Sequence, residues 1–152
     1  MAKNIATIVL LTLIILQTGC KKEEDLKEKD DQIIREYLET HNLVAEKTAS
    51  GLYYIIDVPG VFPKPSANST VTVHYKGYLT NKSVFDSTEG DDPATFPLSG
   101  VIEGWQEGLQ YFGEGGEGIL LIPSHLGYGS SIMPGIPANS VLIFEIRLIN
   151  VE

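Results

Sequence analysis

The chain has 152 residues, 43% hydrophobic and 20% charged, a balance that suits one globular domain with short extras. Its formal net charge of −9 repels phosphate backbones and anionic lipid, which argues against nucleic acid as a partner and against electrostatic membrane attachment. Cys20 is the one cysteine, so no internal disulfide can form.

Residues 1–20 read MAKNIATIVLLTLIILQTGC. Lys3 supplies a positive start, and Ile5 to Leu16 is an apolar stretch of twelve residues, right for a signal core and too short for a comfortable membrane span. The stretch ends in Gln17-Thr18-Gly19-Cys20. Small residues followed by cysteine resemble a bacterial lipoprotein signal, which predicts removal of residues 1–19 and lipidation of Cys20. Gln17 departs from the aliphatic residue usual there, and an uncleaved anchor helix is the alternative. Either reading expects an exported, membrane-tethered body in the cell envelope, on the periplasmic or surface face of an outer membrane. Residues 20–30 carry dense mixed charge and almost no apolar side chain, which predicts a solvated tether.

Residues 31–49 open with Ile33, Ile34, Tyr37 and Leu38 at helical spacing, predicting a short amphipathic helix packed on the domain or serving as a spacer. The body of the fold is expected over residues 50–152. Leu52 to Val58 has strand character. Val71 to Leu79 alternates, with Val71, Val73, Tyr75 and Leu79 on one face and Thr72, His74, Lys76 and Tyr78 on the other. Gly104 to Phe112 places Trp105, Leu109 and Phe112 on one helical stripe. Ile119 to Ile122 is a short apolar run closed by Pro123, and Val141 to Val151 alternates with Leu142, Phe144, Ile146 and Leu148 on one face. Stretches 62–65, 91–93 and 133–137 are proline-bearing loops. Strands, one helix, then strands predict an α+β fold with an antiparallel sheet and a single short helix on one face.

Several chemistries find no support. His41, His74 and His125 are widely spread, without metal-ligand spacing. There is no G-x-S-x-G elbow for a hydrolase. Gly113 to Gly118 matches G-x-G-x-x-G literally, but a helix precedes it and a strand follows, the reverse of a dinucleotide site, and Glu114 and Glu117 would repel a pyrophosphate. Read singly, Trp105 is a core residue, Asp86 a turn residue beside Phe85, and Tyr128 a loop anchor between two glycines.

Read together, six fragments carry more: VHYKGYL (73–79), VFDST (84–88), VIEGWQEGL (101–109), GYG (127–129), PGIP (134–137) and SVLIFEIRLINV (140–151). In order and spacing they resemble the FKBP-type peptidyl-prolyl cis-trans isomerases over about residues 51–152. The resemblance implies a five- to six-stranded antiparallel sheet wrapped around the short helix, with an apolar cleft between them. It implies Trp105 as the floor under a proline ring, and Tyr75, Phe85, Val101, Ile102 and Phe144 as walls, with Ile136 and Phe96 beside them. Tyr128 and the Ile102 N–H would hydrogen-bond substrate carbonyls, and Asp86 would sit beside the twisting amide. Two positions depart from the pattern: Ala94 where a second aromatic wall residue is common, and Met133 where many members have histidine.

The implied activity is rotation about X–Pro bonds in exported, proline-containing polypeptides, with no metal, no other cofactor and no covalent intermediate. Macrolide inhibitors are candidate ligands of the same cleft. A non-catalytic peptide-binding chaperone module on the same fold is the rival reading, and Ala94 and Met133 are the features that favour it.

Overall fold

The computed structural model describes residues 2–88, 90 and 92–152, with side chains from Lys21 onward. The Cys20 side chain and the side chains of the expected signal segment lie outside the described residues. Helix α1 spans Ala2–Thr40. The expected short helix at 31–40 is therefore the end of a longer one, and residues 21–30, expected as a solvated tether, are helical and mostly exposed. The charge run permits this because Glu and Lys are good helix formers and pair four residues apart. Lys27 and Glu23 lie 3.1 Å apart, and Arg35 pairs with Asp31 in the same way. The helix ends at Thr40, and Asn42, with φ 52°, reverses the chain. Leu43 N–H then caps the Leu38 carbonyl at 2.9 Å and Asn42 N–H the Glu39 carbonyl at 3.2 Å.

Among the described residues, seven strands make one antiparallel sheet: β1 (Glu46–Lys47), β2 (Tyr53–Val58), β3 (Thr70–Leu79), β4 (Val84–Ser87), β5 (Ala94–Pro97), β6 (Glu117–Ile122) and β7 (Leu142–Val151). The order is β1-β2-β6-β7-β3-β4, with β5 also on β3. The count exceeds the expected five to six for two reasons. A two-residue β1 adds an edge, and β4 and β5 divide one edge of β3: Lys76 to Tyr78 pair with β4, Thr70 to Val73 with β5. Helix α2 (Glu103–Gly108) continues as a 3₁₀ turn through Tyr111. The G-x-G-x-x-G stretch is the turn from that helix into β6, with Gly115 at φ 77°.

Both faces of the sheet are covered. On one, Val71, Val73, Leu142, Phe144, Ile146 and Leu148 pack with Trp105, Leu109 and Phe112, as their periodicity predicts. On the other, Ile34, Tyr37 and Leu38 of α1 pack on Tyr53, Tyr78, Leu121, Val141 and Ile143. Ile34 and Leu38 are 0% and 8% exposed, each burial worth about 1.5–3 kcal/mol. This second layer explains why β6 and β7 carry apolar residues on both sides. It also buries Tyr78 to 4% exposure, on the face opposite Tyr75, where its hydroxyl donates to Glu145 at 2.9 Å.

Candidate active site

Three strands and a helix bring four rings together. Tyr75 projects from β3 toward α2, and Phe144 lies on β7 directly across from Gly77. Phe85 comes in from β4. Gly77 is the reason both phenylalanines fit: a Cβ there would lie 2.6 Å from Phe85 Cε2 and 2.8 Å from Phe144 Cε1. Glycines also seat the helix. A Cβ on Gly104 would meet Ile122 Cγ2 at 2.5 Å, and one on Gly108 would meet Leu120 Cδ1 at 2.6 Å. One turn apart, these two positions let α2 lie down on β6 and bring Trp105 to 4% exposure. The indole then meets Phe144 and Tyr75 edge-on, with centroids 5.2 and 5.1 Å away, a favoured aromatic geometry. Phe96 of β5 stands 6.0 Å from the indole at 85°.

The segment before α2 forms another wall. Leu98 is buried, and Gln106 Nε2 donates to the Val101 carbonyl at 2.7 Å, which holds Val101 and Ile102 against the first turn. The Ile102 carbonyl accepts from Trp105 and Gln106 N–H at 2.9 and 3.1 Å. Its own N–H finds no partner among the described residues, as expected of a donor at a helix start. The far wall is the loop from Pro123 to Pro137. Met133 and Ile136 exchange backbone hydrogen bonds of 3.0 and 2.9 Å, closing a tight turn in which Gly135 adopts φ 76°.

The result is a cleft of about 390 Å³ lined by Tyr75, Phe85, Asp86, Phe96, Gly100, Val101, Ile102, Trp105, Tyr128, Met133, Pro134, Ile136 and Phe144. All ten residues expected of the cleft lie on it. Phe96 fills the wall two residues beyond Ala94, and Ala94 does not line the space. Gly100, Met133 and Pro134 were missed as lining residues. The Met-Pro-Gly-Ile-Pro string signals a loop, and only the turn's closure brings its first two residues over the cleft.

Among the described residues, Asp86 is the one charged side chain of this lining. It accepts from the Tyr75 hydroxyl at 2.6 Å and from Ser87 N–H at 2.9 Å. Burial, reinforced by the Asp86 carboxylate, pushes the Tyr75 phenol far above its ordinary range, so it stays protonated and donates to Asp86. The Tyr128 hydroxyl has no partner among the described residues. Trp105 Nε1 is buried without one. No cluster of three potential metal ligands occurs among the described residues. Among the described residues the site is an apolar slot with unpaired donors at Tyr128 O–H and Ile102 N–H besides the buried indole N–H, and a tyrosine–aspartate pair at its side.

The family model for FKBP-type peptidyl-prolyl cis-trans isomerases matches residues 63–149, more than half of the chain. The chain belongs to the FKBP-type peptidyl-prolyl cis-trans isomerase family. This FKBP-type chain is 41% identical over 157 residues to an FkpA isomerase of Buchnera aphidicola, covering 99% of the chain and 62% of that relative. It is 44% identical over 109 residues to FkpA of Escherichia coli K12, covering 70% of the chain and 40% of that relative. The crystal structure of E. coli FkpA superposes with a TM-score of 0.73 at 36% identity, covering 88% of this chain and 64% of that one. A peptidyl-prolyl isomerase structure from Pseudomonas syringae superposes at 0.70 and 33% identity, covering 82% of this chain and 95% of that one. The FKBP-type chain thus spans less than two thirds of the length of the FkpA relatives it matches.

Proposed function

We propose that the cleft catalyses cis/trans rotation about X–Pro bonds in polypeptides. The observation that carries this reading is the convergence of Trp105, Phe144, Tyr75 and Phe85 on one slot whose available donors are Tyr128 O–H and Ile102 N–H. Rotation is slow because the peptide C–N bond has partial double-bond character, with a barrier of about 18–20 kcal/mol. In the twisted transition state resonance is lost and the amide becomes less polar. An apolar, water-poor slot therefore favours the transition state over the planar ground state, which is differential binding. The proline ring rests on the Trp105 indole, between the Tyr75, Phe85 and Phe144 rings. The Tyr128 and Ile102 donors hold the chain by its carbonyls on either side of the turning bond, fixed in place beforehand. Asp86, held by Tyr75, stands beside that bond. A barrier lowered by about 5–8 kcal/mol corresponds to roughly 10⁴- to 10⁶-fold acceleration.

A protease-coupled assay with a proline-containing peptide tests this. Acceleration well above buffer is expected, with a sharp loss in Trp105→Ala and about a tenfold loss in Tyr128→Phe, the worth of one hydrogen bond. A rate equal to buffer with peptide binding intact would replace this reading with a non-catalytic peptide-binding chaperone module. Met133 on the rim, in place of the histidine common in the family, is the feature that favours that second reading. Macrolides are proposed as inhibitors on the strength of the apolar lining.

The proposed setting is the cell envelope of a bacterium, with Cys20 lipidated after loss of residues 1–19 and exported proline-containing chains as substrates. The support is the sequence Gln17-Thr18-Gly19-Cys20 after a twelve-residue apolar stretch. Cys20→Ala is expected to abolish lipid labelling and to release the protein from, or block its maturation at, the membrane. Unchanged detergent-dependent extraction would point to an uncleaved anchor helix.

A further inference from the structure

Asp30 lies in a run of charges, yet it is 2% exposed. Its Oδ2 accepts from Ser124 N–H at 2.8 Å and from the Ser124 hydroxyl at 2.6 Å. Ser124, 3% exposed, opens the loop that carries Tyr128. Its carbonyl accepts from Gly127 N–H at 3.0 Å and from Gly129 N–H at 2.8 Å, the residues on either side of Tyr128. Every polar group of Ser124 is therefore committed. Its amide and hydroxyl are tied to α1, and its carbonyl to the backbone flanking the cleft tyrosine. On the far side of that backbone the Gly129 carbonyl accepts from Asn139 N–H at 2.7 Å. Among the described residues the Tyr128 hydroxyl has no hydrogen bond of its own, so its place at the cleft follows from this suspension, together with the Ser131 N–H that donates to the Tyr128 carbonyl at 3.1 Å and the packing of the ring on the core.

We infer that Asp30 is a positioning residue for Tyr128: through Ser124, helix α1 holds the Tyr128 hydroxyl at the cleft and makes turnover depend on the docking of α1. The inference rests on the isomerase reading of the cleft. Removing the carboxylate strands two buried donors of Ser124, which must then turn toward other acceptors. The Ser124 carbonyl turns with them and releases the Gly127 and Gly129 amides, and the tyrosine between them shifts. Small displacements of an aligned group are costly in rate. The effect runs through Tyr128 and should vanish when the Tyr128 hydroxyl is already gone.

The test is a double-mutant cycle in the full chain, read as kcat/KM for a proline peptide. Asp30→Ala is expected to lower the value about tenfold with Tyr128 present and to change it less than about twofold in Tyr128→Phe. Asp30→Asn, whose amide oxygen can accept both Ser124 donors, should restore most of the activity. A loss of equal size in both backgrounds would overturn the proposal, because a general loss of structure acts irrespective of Tyr128. Amide hydrogen exchange supplies an arm that needs no turnover. In Asp30→Ala the Gly127 and Gly129 amides should exchange faster, with those of β7 unchanged. Unaltered exchange at both glycines would overturn the suspension itself. An inactive parent chain with this exchange pattern would refute the isomerase reading and leave the α1–Tyr128 linkage standing. Ser124→Ala, which keeps the amide donor to Asp30, provides a milder perturbation if Asp30→Ala fails to fold, with a smaller loss again confined to the Tyr128 background.

Discussion

At Gly77 the space a side chain would need is taken by two rings, with Phe85 Cε2 at 2.6 Å and Phe144 Cε1 at 2.8 Å from an ideal Cβ. The residue carries no chemistry and yet sets the shape of the slot. Gly77→Ala is expected to destabilise the domain by about 1–3 kcal/mol, the usual cost of overpacking, and to lower kcat/KM about tenfold by pushing the walls inward. Denaturant unfolding and the coupled assay check the two halves, and unchanged kinetics would show that the rings yield without closing the slot. Tyr128 is the contrasting case: among the described residues its hydroxyl bonds to nothing, so Tyr128→Phe should cost activity with almost no stability. In the sequence, Trp105, Phe144 and Tyr75 were legible because each obeys its element's period and sits in a motif. Asp30 was not. It shares the helical stripe of Leu26, Ile34, Tyr37 and Leu38, four residues apart from its neighbours, but a carboxylate in a charge run gives no sign that two donors from position 124 await it.

At the scale of elements, the same limit explains what was missed. The stripe of Trp105, Leu109 and Phe112 and the alternation of Leu142, Phe144, Ile146 and Leu148 follow the helix and strand periods and were readable. The four-residue strands β4 and β5 exist because β3 offers ten residues of edge, which no local pattern reports. Tyr78 alternates outward from one core and thereby into a second, under α1. That second layer has its own electrostatic seam. Burial pushes the Asp31 carboxyl up, but hydrogen bonds from Lys47 and Tyr53, with the Lys47 charge, outweigh it and hold the carboxyl below its ordinary value. Lys47 is at 2.5 Å and Tyr53 at 2.7 Å. A depressed folded-state value stabilises above the unfolded value, near 3.8, and that contribution is lost as pH falls through the lower folded value. Asp31→Asn should therefore weaken α1 docking at neutral pH by about 1–2 kcal/mol and remove this part of the acid dependence. Thermal melts of both proteins across pH 2–7 check it, and parallel curves with a constant offset would refute it.

For the whole molecule, the sheet has a separate task on each face. One face, with α2 pressed on it, makes the apolar slot, and the other receives α1. The 123–137 loop joins the two, touching α1 at Ser124 and the slot at Tyr128, Met133 and Ile136. In the proposed linkage, α1 relays its own docking to the cleft. The central claim is that the slot turns X–Pro bonds rather than merely holding them. Exchange NMR on a proline peptide with a substoichiometric amount of the protein measures that rotation directly. The account predicts cis–trans exchange cross-peaks on a sub-second timescale, against tens to hundreds of seconds in buffer, with shifts at the Trp105 indole and Tyr128. Shifts at those groups with exchange no faster than in buffer would contradict it.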